Sequence, residues 1–265
     1  NRFLIHCFNL EDKSVRSFHF DEAVVALSLT DVEGQFLVAL GSKLILWNST
    51  TDARQGLDVT LPGNPEVRFN DGRSDPLGDF WIGSMSNNVG PNGESVKIVT
   101  GLGKLYRYRY GGKLEEIEKG IGVSSTLCWN VEKTIFYFGD TLKNEIRAYD
   151  YDSKTGSISN GRPFFSGFER GLPDGSTIDI DGYLWNCRYG GACVVRGAPN
   201  SEIDCVIEMP VKNITTCAFG GADASTLFVT TASAQKDEMD RLAGSLFSIQ
   251  TDITGLPENK FMTSF

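Results

Sequence analysis

Four polar clusters interrupt an apolar chain punctuated by glycine, and they hold the residues with the widest chemical scope. One is Arg68-Phe69-Asn70-Asp71-Gly72-Arg73-Ser74-Asp75, and another is Leu172-Pro173-Asp174-Gly175-Ser176, followed by Asp179. Val123-Ser124-Ser125-Thr126 and Gly139-Asp140-Thr141 complete the set. Hard cations take oxygen ligands from Asp, Glu, Asn and carbonyl groups, so clusters of this kind can hold one. Asp, Asn and Gly between strands also form turns for their own sake, and Asp75 and Asp181 fit that role. Asp174 differs in its setting: a proline before it and a glycine after it make a short, stiff loop that can aim a carboxylate. Arg68, next to Asn70-Asp71, reads either as a plain surface pair or as a substrate contact.

Other chemistries are poorly supplied. The chain has two histidines, His6 and His19, both in strand-like segments, and no G-x-S-x-G elbow. A Ser-His-Asp or Cys-His machine is therefore hard to build. Six cysteines (Cys7, Cys128, Cys187, Cys193, Cys205, Cys217) are scattered without a C-x-x-C pair or a nearby histidine. They argue against a Cys/His zinc site and read as small apolar strand residues in a reducing, cytoplasmic setting. A net charge of −9 argues against nucleic acid as a partner and for solubility. No run approaches the ~18 apolar residues of a membrane span. Asn1 to Leu10 lacks the basic and apolar segments of a signal peptide, and it opens inside a strand-like run, so strands are expected upstream of residue 1.

The elements that must position the clusters are strands. Apolar runs follow turn signals at Phe36 to Leu40, Phe80 to Gly83, Thr134 to Phe138, Tyr183 to Cys187 and Thr226 to Thr231. Each is succeeded by a second strand-like run: Lys43 to Trp47, Lys104 to Tyr110, Glu145 to Tyr151, Ala192 to Arg196 and Ser245 to Gln250. The spacing from Phe36 to Phe80, Phe136, Leu184 and Phe228 is 44, 56, 48 and 44 residues. Strand repeats of roughly 40–50 residues are the signature of propeller blades. The best helical pattern, Ala234 to Leu242, is too short to organise a core. Phe3 to Phe8 and Val15 to Phe20 read as the outer strands of a further blade, closed by upstream sequence or the C-terminal tail. The expectation is an all-β, six-bladed β-propeller with four-stranded antiparallel blades, a single domain over residues 1–265.

At these loops the chain resembles the regucalcin/gluconolactonase (senescence marker protein) family. The matching stretches include Arg68-Phe69-Asn70-Asp71-Gly72, Gly83-Ser84-Met85, Thr126-Leu127-Cys128-Trp129, Pro173-Asp174-Gly175, Asp181-Gly182-Tyr183-Leu184-Trp185 and Cys217-Ala218-Phe219-Gly220-Gly221. They run in the family's order across about residues 24 to 250. The resemblance implies a sugar lactone lactonase that opens small aldono lactones to aldonic acids with one divalent cation, calcium or zinc foremost, magnesium or manganese in their place. It puts Asp174 at a metal ligand and Ser125 at the family's asparagine ligand, and because a carboxylate in such a site can accept a proton from water, Asp174 is also the expected general base. A serine there is a departure, and the family's glutamate ligand lies upstream of where this sequence begins. Arg68, Asn70 and Asn88 fall at substrate-binding positions. The molecule is expected as a monomer or weak homo-oligomer. A calcium-binding, non-catalytic relative and a phosphotriesterase-like hydrolase are the competing readings.

Overall fold

Apolar runs bounded by Gly, Asn and Asp turns fold here as antiparallel strands, each hydrogen-bonded to the next in sequence. The structure is a computed structural model and describes residues 3–90, 94, 96–233 and 241–264. β1 (Leu4–Phe8) and β2 (Val15–His19) form a two-stranded hairpin. β3 (Val24–Leu29), β4 (Gln35–Leu40), β5 (Lys43–Asn48) and β6 (Arg54–Thr60) form the first four-stranded blade. β7 (Val67–Ser74), β8 (Phe80–Ser86), β9 (Gly103–Tyr108) and β10 (Leu114–Ile121) form the second. The third comprises β11 (Ser124–Trp129), β12 (Ile135–Asp140), β13 (Glu145–Tyr151) and β14 (Ile158–Ser166). The fourth comprises β15 (Leu172–Ile178), β16 (Leu184–Tyr189), β17 (Cys193–Gly197) and β18 (Ile203–Glu208). β19 (Ile214–Gly220), β20 (Thr226–Thr231) and β21 (Leu246–Gln250) make a three-stranded fifth. No helix among the described residues is long and apolar enough to cross a membrane.

In the second blade the second strand is covered on both faces. Every residue of β8 is buried. The turn that feeds it is closed by a carboxylate. Asp75 accepts the amides of Leu77 and Asp79 at 2.9 Å each and the Trp81 indole at 2.9 Å. Asp179 repeats this with the amides of Asp181 and Tyr183 at 3.0 Å and the Trp185 indole at 2.8 Å. Arg196 adds a bond to Asp179 at 2.7 Å. Asp75 is the turn former expected, and Asp179 joins it rather than the ligand loop beside Asp174.

The chain forms two compact units, Asn1–Ser124 with Glu258–Phe265, and Ser125–Pro257. The core of the first packs Leu37, Phe69, Phe80, Ile82 and Tyr106 around Phe261. The core of the second has two centres, one on Ile146, Leu184 and Val195, the other on Trp185, Val194 and Val229.

The blade count corrects the expectation of six: the propeller has five blades, and the fifth has three strands rather than four. The hairpin β1–β2 gains no further strand among the described residues. The C-terminal tail, expected as a source of its missing strands, goes elsewhere. Phe261 donates its amide to Leu29 at 2.8 Å and accepts one from Asp31 at 3.1 Å, and its ring stacks on Tyr108. Full burial of that ring is worth about 2 kcal/mol, enough to commit the tail to the first two blades. The helical pattern at Ala234 to Leu242 lies largely outside the described residues.

Candidate functional site

In the first unit the polar residues gather where β7 loses register with β8. Phe69 pairs with Ser84 and Gly72 with Ile82, so Asn70 and Asp71 stand against Gly83 alone. Such a bulge re-aims the side chains it carries. A Cβ on Gly83 would run into the side chain of Ser124, so only glycine lets Ser124 approach this closely.

Arg68 is 4% exposed and meets only neutral acceptors. Its Nε and Nη2 donate to Asn88 Oδ1 at 3.0 and 2.8 Å, and Nη1 donates to Phe69 O and Asn70 Oδ1, each at 2.8 Å. Burial without a carboxylate draws the guanidinium down to about 10, still a cation at neutral pH. The surface-pair reading of Arg68 therefore falls. Asn70 donates to Ser124 O at 2.6 Å, which fixes its amide plane. Both carboxamides are half-buried, and with Asn88 Oδ1 occupied by Arg68, what Asn88 offers a ligand is its NH2. The structure thus brings Arg68, Asn70 and Asn88 into one hydrogen-bonded group.

In the second unit β15 has the matching defect. Pro173 pairs with Arg188 and Ser176 with Asn186, leaving Asp174 and Gly175 against Cys187. Asp174 is half-buried, and its backbone is held from two sides. Its carbonyl accepts Thr126 Oγ1 at 2.7 Å and Asn186 Nδ2 at 3.0 Å. Ser125 Oγ donates to the preceding carbonyl of Pro173 at 3.3 Å. Thr126 takes φ +53°, a left-handed setting that costs a β-branched residue about 1–3 kcal/mol. It is kept there by its hydroxyl, which also bonds Ser176 Oγ at 2.7 Å. A Cβ on Gly175 would collide with Thr216, so that glycine lets β19 close on the bulge.

Cys187, opposite the bulge, is inert: burial first, then the Cys217 thiol and the charge of Asp174, push its thiol well above the ordinary value. All six cysteines are free. Asp140, from the fourth polar cluster, caps the short 3-10 turn Thr141–Lys143 and pairs with Lys143 at 3.2 Å.

A dication beside Asp174 is tested by the donors present. Among the described residues no three His, Cys, Asp or Glu side chains converge as a metal site. Ser125 is fully buried with its hydroxyl turned to Pro173 O. One carboxylate and one committed hydroxyl fall short of the roughly six to eight oxygens that calcium gathers, or the four ligands of zinc. The donor set described does not fit the ion.

The sequence reading missed Arg188, Asn186 and Asn144. Arg188 is 1% exposed, and it bonds Asn186 Oδ1 at 3.2 Å and Asn144 Oδ1 at 2.6 Å. The available signal was two polar residues, Asn186 and Arg188, on one face of an otherwise apolar strand.

The sequence model of the SMP-30/gluconolactonase/LRE-like region matches residues 1–233. The chain is 35% identical over 259 residues to the sugar lactone lactonase YvrE of Bacillus subtilis, covering 95% of this chain and 85% of that protein. It is 34% identical over 202 residues to the pentonolactonase XacC of Haloferax volcanii, covering 72% of this chain and 65% of that protein. Among solved structures it is similar to a calcium-binding protein, regucalcin, of Agrobacterium tumefaciens. That likeness has a TM-score of 0.88 at 26% identity, over 98% of this chain and 86% of the other. The chain belongs to the SMP-30/gluconolactonase/LRE-like family.

Proposed function

We propose that this chain is a lactone-hydrolysing enzyme that opens small sugar lactones to the corresponding aldonic acids. The observation that carries the reading is the Asp174 carboxylate, set on a β-bulge whose backbone is clamped by Thr126, Ser125 and Asn186. A base must be held still to be useful, since catalysis by proton transfer depends on geometry before pKa. The names of the lactonase and pentonolactonase relatives support the substrate class.

In this reading Asp174 accepts a proton from water as its oxygen adds to the ester carbonyl. The tetrahedral centre then collapses, the ring C–O bond breaks, and the proton passes from Asp174 to the departing ring oxygen, which becomes a hydroxyl. It is the family resemblance that assigns the substrate's oxygens to Arg68, Asn70 and Asn88. A buried cation with no counter-charge favours a carbonyl oxygen that is gaining negative charge, and the carboxamides suit hydroxyls. The metal dependence implied by the family resemblance is not drawn into any step, because the described donors do not fit the ion.

The test is pH-stat hydrolysis of gluconolactone and xylonolactone, with and without EDTA. Turnover above the spontaneous rate is expected, and D174N should lower kcat about a thousandfold. Wild-type protein that takes up calcium yet leaves the spontaneous rate unchanged would refute the enzyme reading and favour a calcium-binding one.

A further inference from the structure

Arg188 lies on β16 directly across from Pro173, one residue before the bulge. It reaches the chain on both sides of Asp174. Upstream, Nε donates to Arg170 O at 3.1 Å, and Nη2 donates to Phe168 O at 3.1 Å and Gly171 O at 2.7 Å. Its guanidinium also lies over the Phe168 ring, 5.1 Å from the centroid. These are the residues that lead into Leu172-Pro173-Asp174. Downstream, Nη1 holds Asn186 Oδ1, and the amide of Asn186 donates in turn to Asp174 O and to Ser176 Oγ at 2.9 Å. Asn144 closes the group from the residue just before β13, accepting Nη2 at 2.6 Å while donating to Phe168 O at 3.0 Å.

We infer that Arg188 is a positioning residue for Asp174, tying the strand entry at 168–171 and the Asn186 relay to one guanidinium so that the bulged carboxylate keeps a single aim. Every contact of the fork is to a neutral oxygen. A buried cation without a counter-ion is a costly way to fill space, and an apolar side chain would serve a plain scaffold better. What an apolar residue cannot do is join three carbonyls and two carboxamides at once. Arg188 is closed off from any ligand, so it acts only through Asn186 and the strand entry. Burial also draws its guanidinium down to about 10, which leaves the charge in place at neutral pH.

The inference rests on the lactonase reading for its kinetic consequence but not for its structural one, and the experiment keeps the two apart. R188M and R188K are assayed on gluconolactone, and amide exchange is followed across residues 166–176. For R188M, kcat should fall about tenfold to a hundredfold with KM within about twofold, since a displaced base loses rate without losing ground-state binding. Exchange in 168–176 should quicken while β7 is unchanged, and R188K should recover part of both effects. Should R188M not fold, N144A removes one acceptor of the same fork and should shift kcat and exchange in the same direction, about threefold. Unaltered exchange at 168–176 in R188M, or a kcat within about twofold of wild type alongside an inactive D174N, overturns the inference. Wild-type protein without turnover removes the lactonase reading alone, and the exchange result still decides the role of Arg188.

Discussion

Between Phe69 and Gly72 on β7, and between Pro173 and Ser176 on β15, two residues of a blade's first strand face one residue of the next. The parts around the two bulges are also alike. Each has a buried arginine with no carboxylate on it, two carboxamides that accept from that arginine, and an Asp turn bonded to a tryptophan indole. The difference lies in what the bulge presents and how the arginine is enclosed. At the first bulge position β7 presents Asn70, with Asp71 at the second and Arg68 two residues before, and Asn70 and Asn88 are half-buried. β15 presents Asp174, while its arginine sits on the neighbouring strand, sealed at 1% exposure. One backbone plan thus yields a donor-rich group in one blade and a braced carboxylate in another. Which strand carries the arginine decides what it does. Under the lactonase proposal the arginine on the bulged strand is the one that meets a ligand, and the one across from the bulge is the one that braces the strand.

The sharpest separation is expected at the bulged residues. D174N should remove about three orders of magnitude from kcat and cost less stability than the change at Asp179, because Asp174 is half-buried and its backbone clamps do not involve the carboxylate. An active D174N would make β15 merely a second copy of the β7 scaffold. Five residues on, the same substitution should do the reverse. D179N strips a buried carboxylate from Arg196 and from the Trp185 indole, at a cost of about 3 kcal/mol, with kcat of the folded fraction unchanged. Chemical denaturation with parallel kinetics separates the two outcomes. N70D carries the comparison to the other blade. It sets a carboxylate against Arg68 Nη1, neutralises the guanidinium charge there, and should raise KM about tenfold with little change in kcat. Initial-rate kinetics decide it; an unchanged KM would detach Arg68 from the substrate.

Much of this fold is legible from local pattern. The five apolar runs and their turn dipeptides are β4, β8, β12, β16 and β20, since strand identity depends on period and turn chemistry within a few residues. The blade count is not local. Whether Val15 to Phe20 belongs to a full sheet depends on where the tail goes, and Phe261 is drawn to Tyr108 across more than half of the chain. The same limit governs the site. Asp174 stands out because Pro173 and Gly175 flank it, and Arg68 and Asn70 because they are two apart on one strand. Arg188 does not, because its meaning comes from Asn144, which is 44 residues away. Asn186 lies inside an apolar run that looks like any second strand. A carboxylate in a turn, such as Asp75 or Asp179, has the same composition as a candidate ligand. Only its indole partner tells the two apart.

The smallest expected effect concerns acid. The entry to β15 carries one further tie, Arg170 to Glu208, bidentate at 2.6 and 2.7 Å and exposed to solvent. Arg170 holds the Glu208 carboxyl below its ordinary value of 4.5. With the folded value the lower of the two, the pair's contribution is complete above that ordinary value and disappears as pH falls through the depressed one. An exposed pair contributes little, so E208Q should melt only about 1–2 °C below wild type near pH 6, and the gap should close as the pH falls through the depressed value. Arg68 itself has no such pair, since it meets only amide and carbonyl oxygens, and the ion pair on β7 belongs to Arg73, with Glu258 at 3.3 Å. The difference in melting temperature between R68M and wild type should therefore stay level from about pH 4 to 9, below the value near 10 at which Arg68 would lose its proton. A gap for E208Q that persists at low pH, or one for R68M that drifts, would show that Arg170 and Arg68 do not differ in their electrostatic partners as their geometry requires.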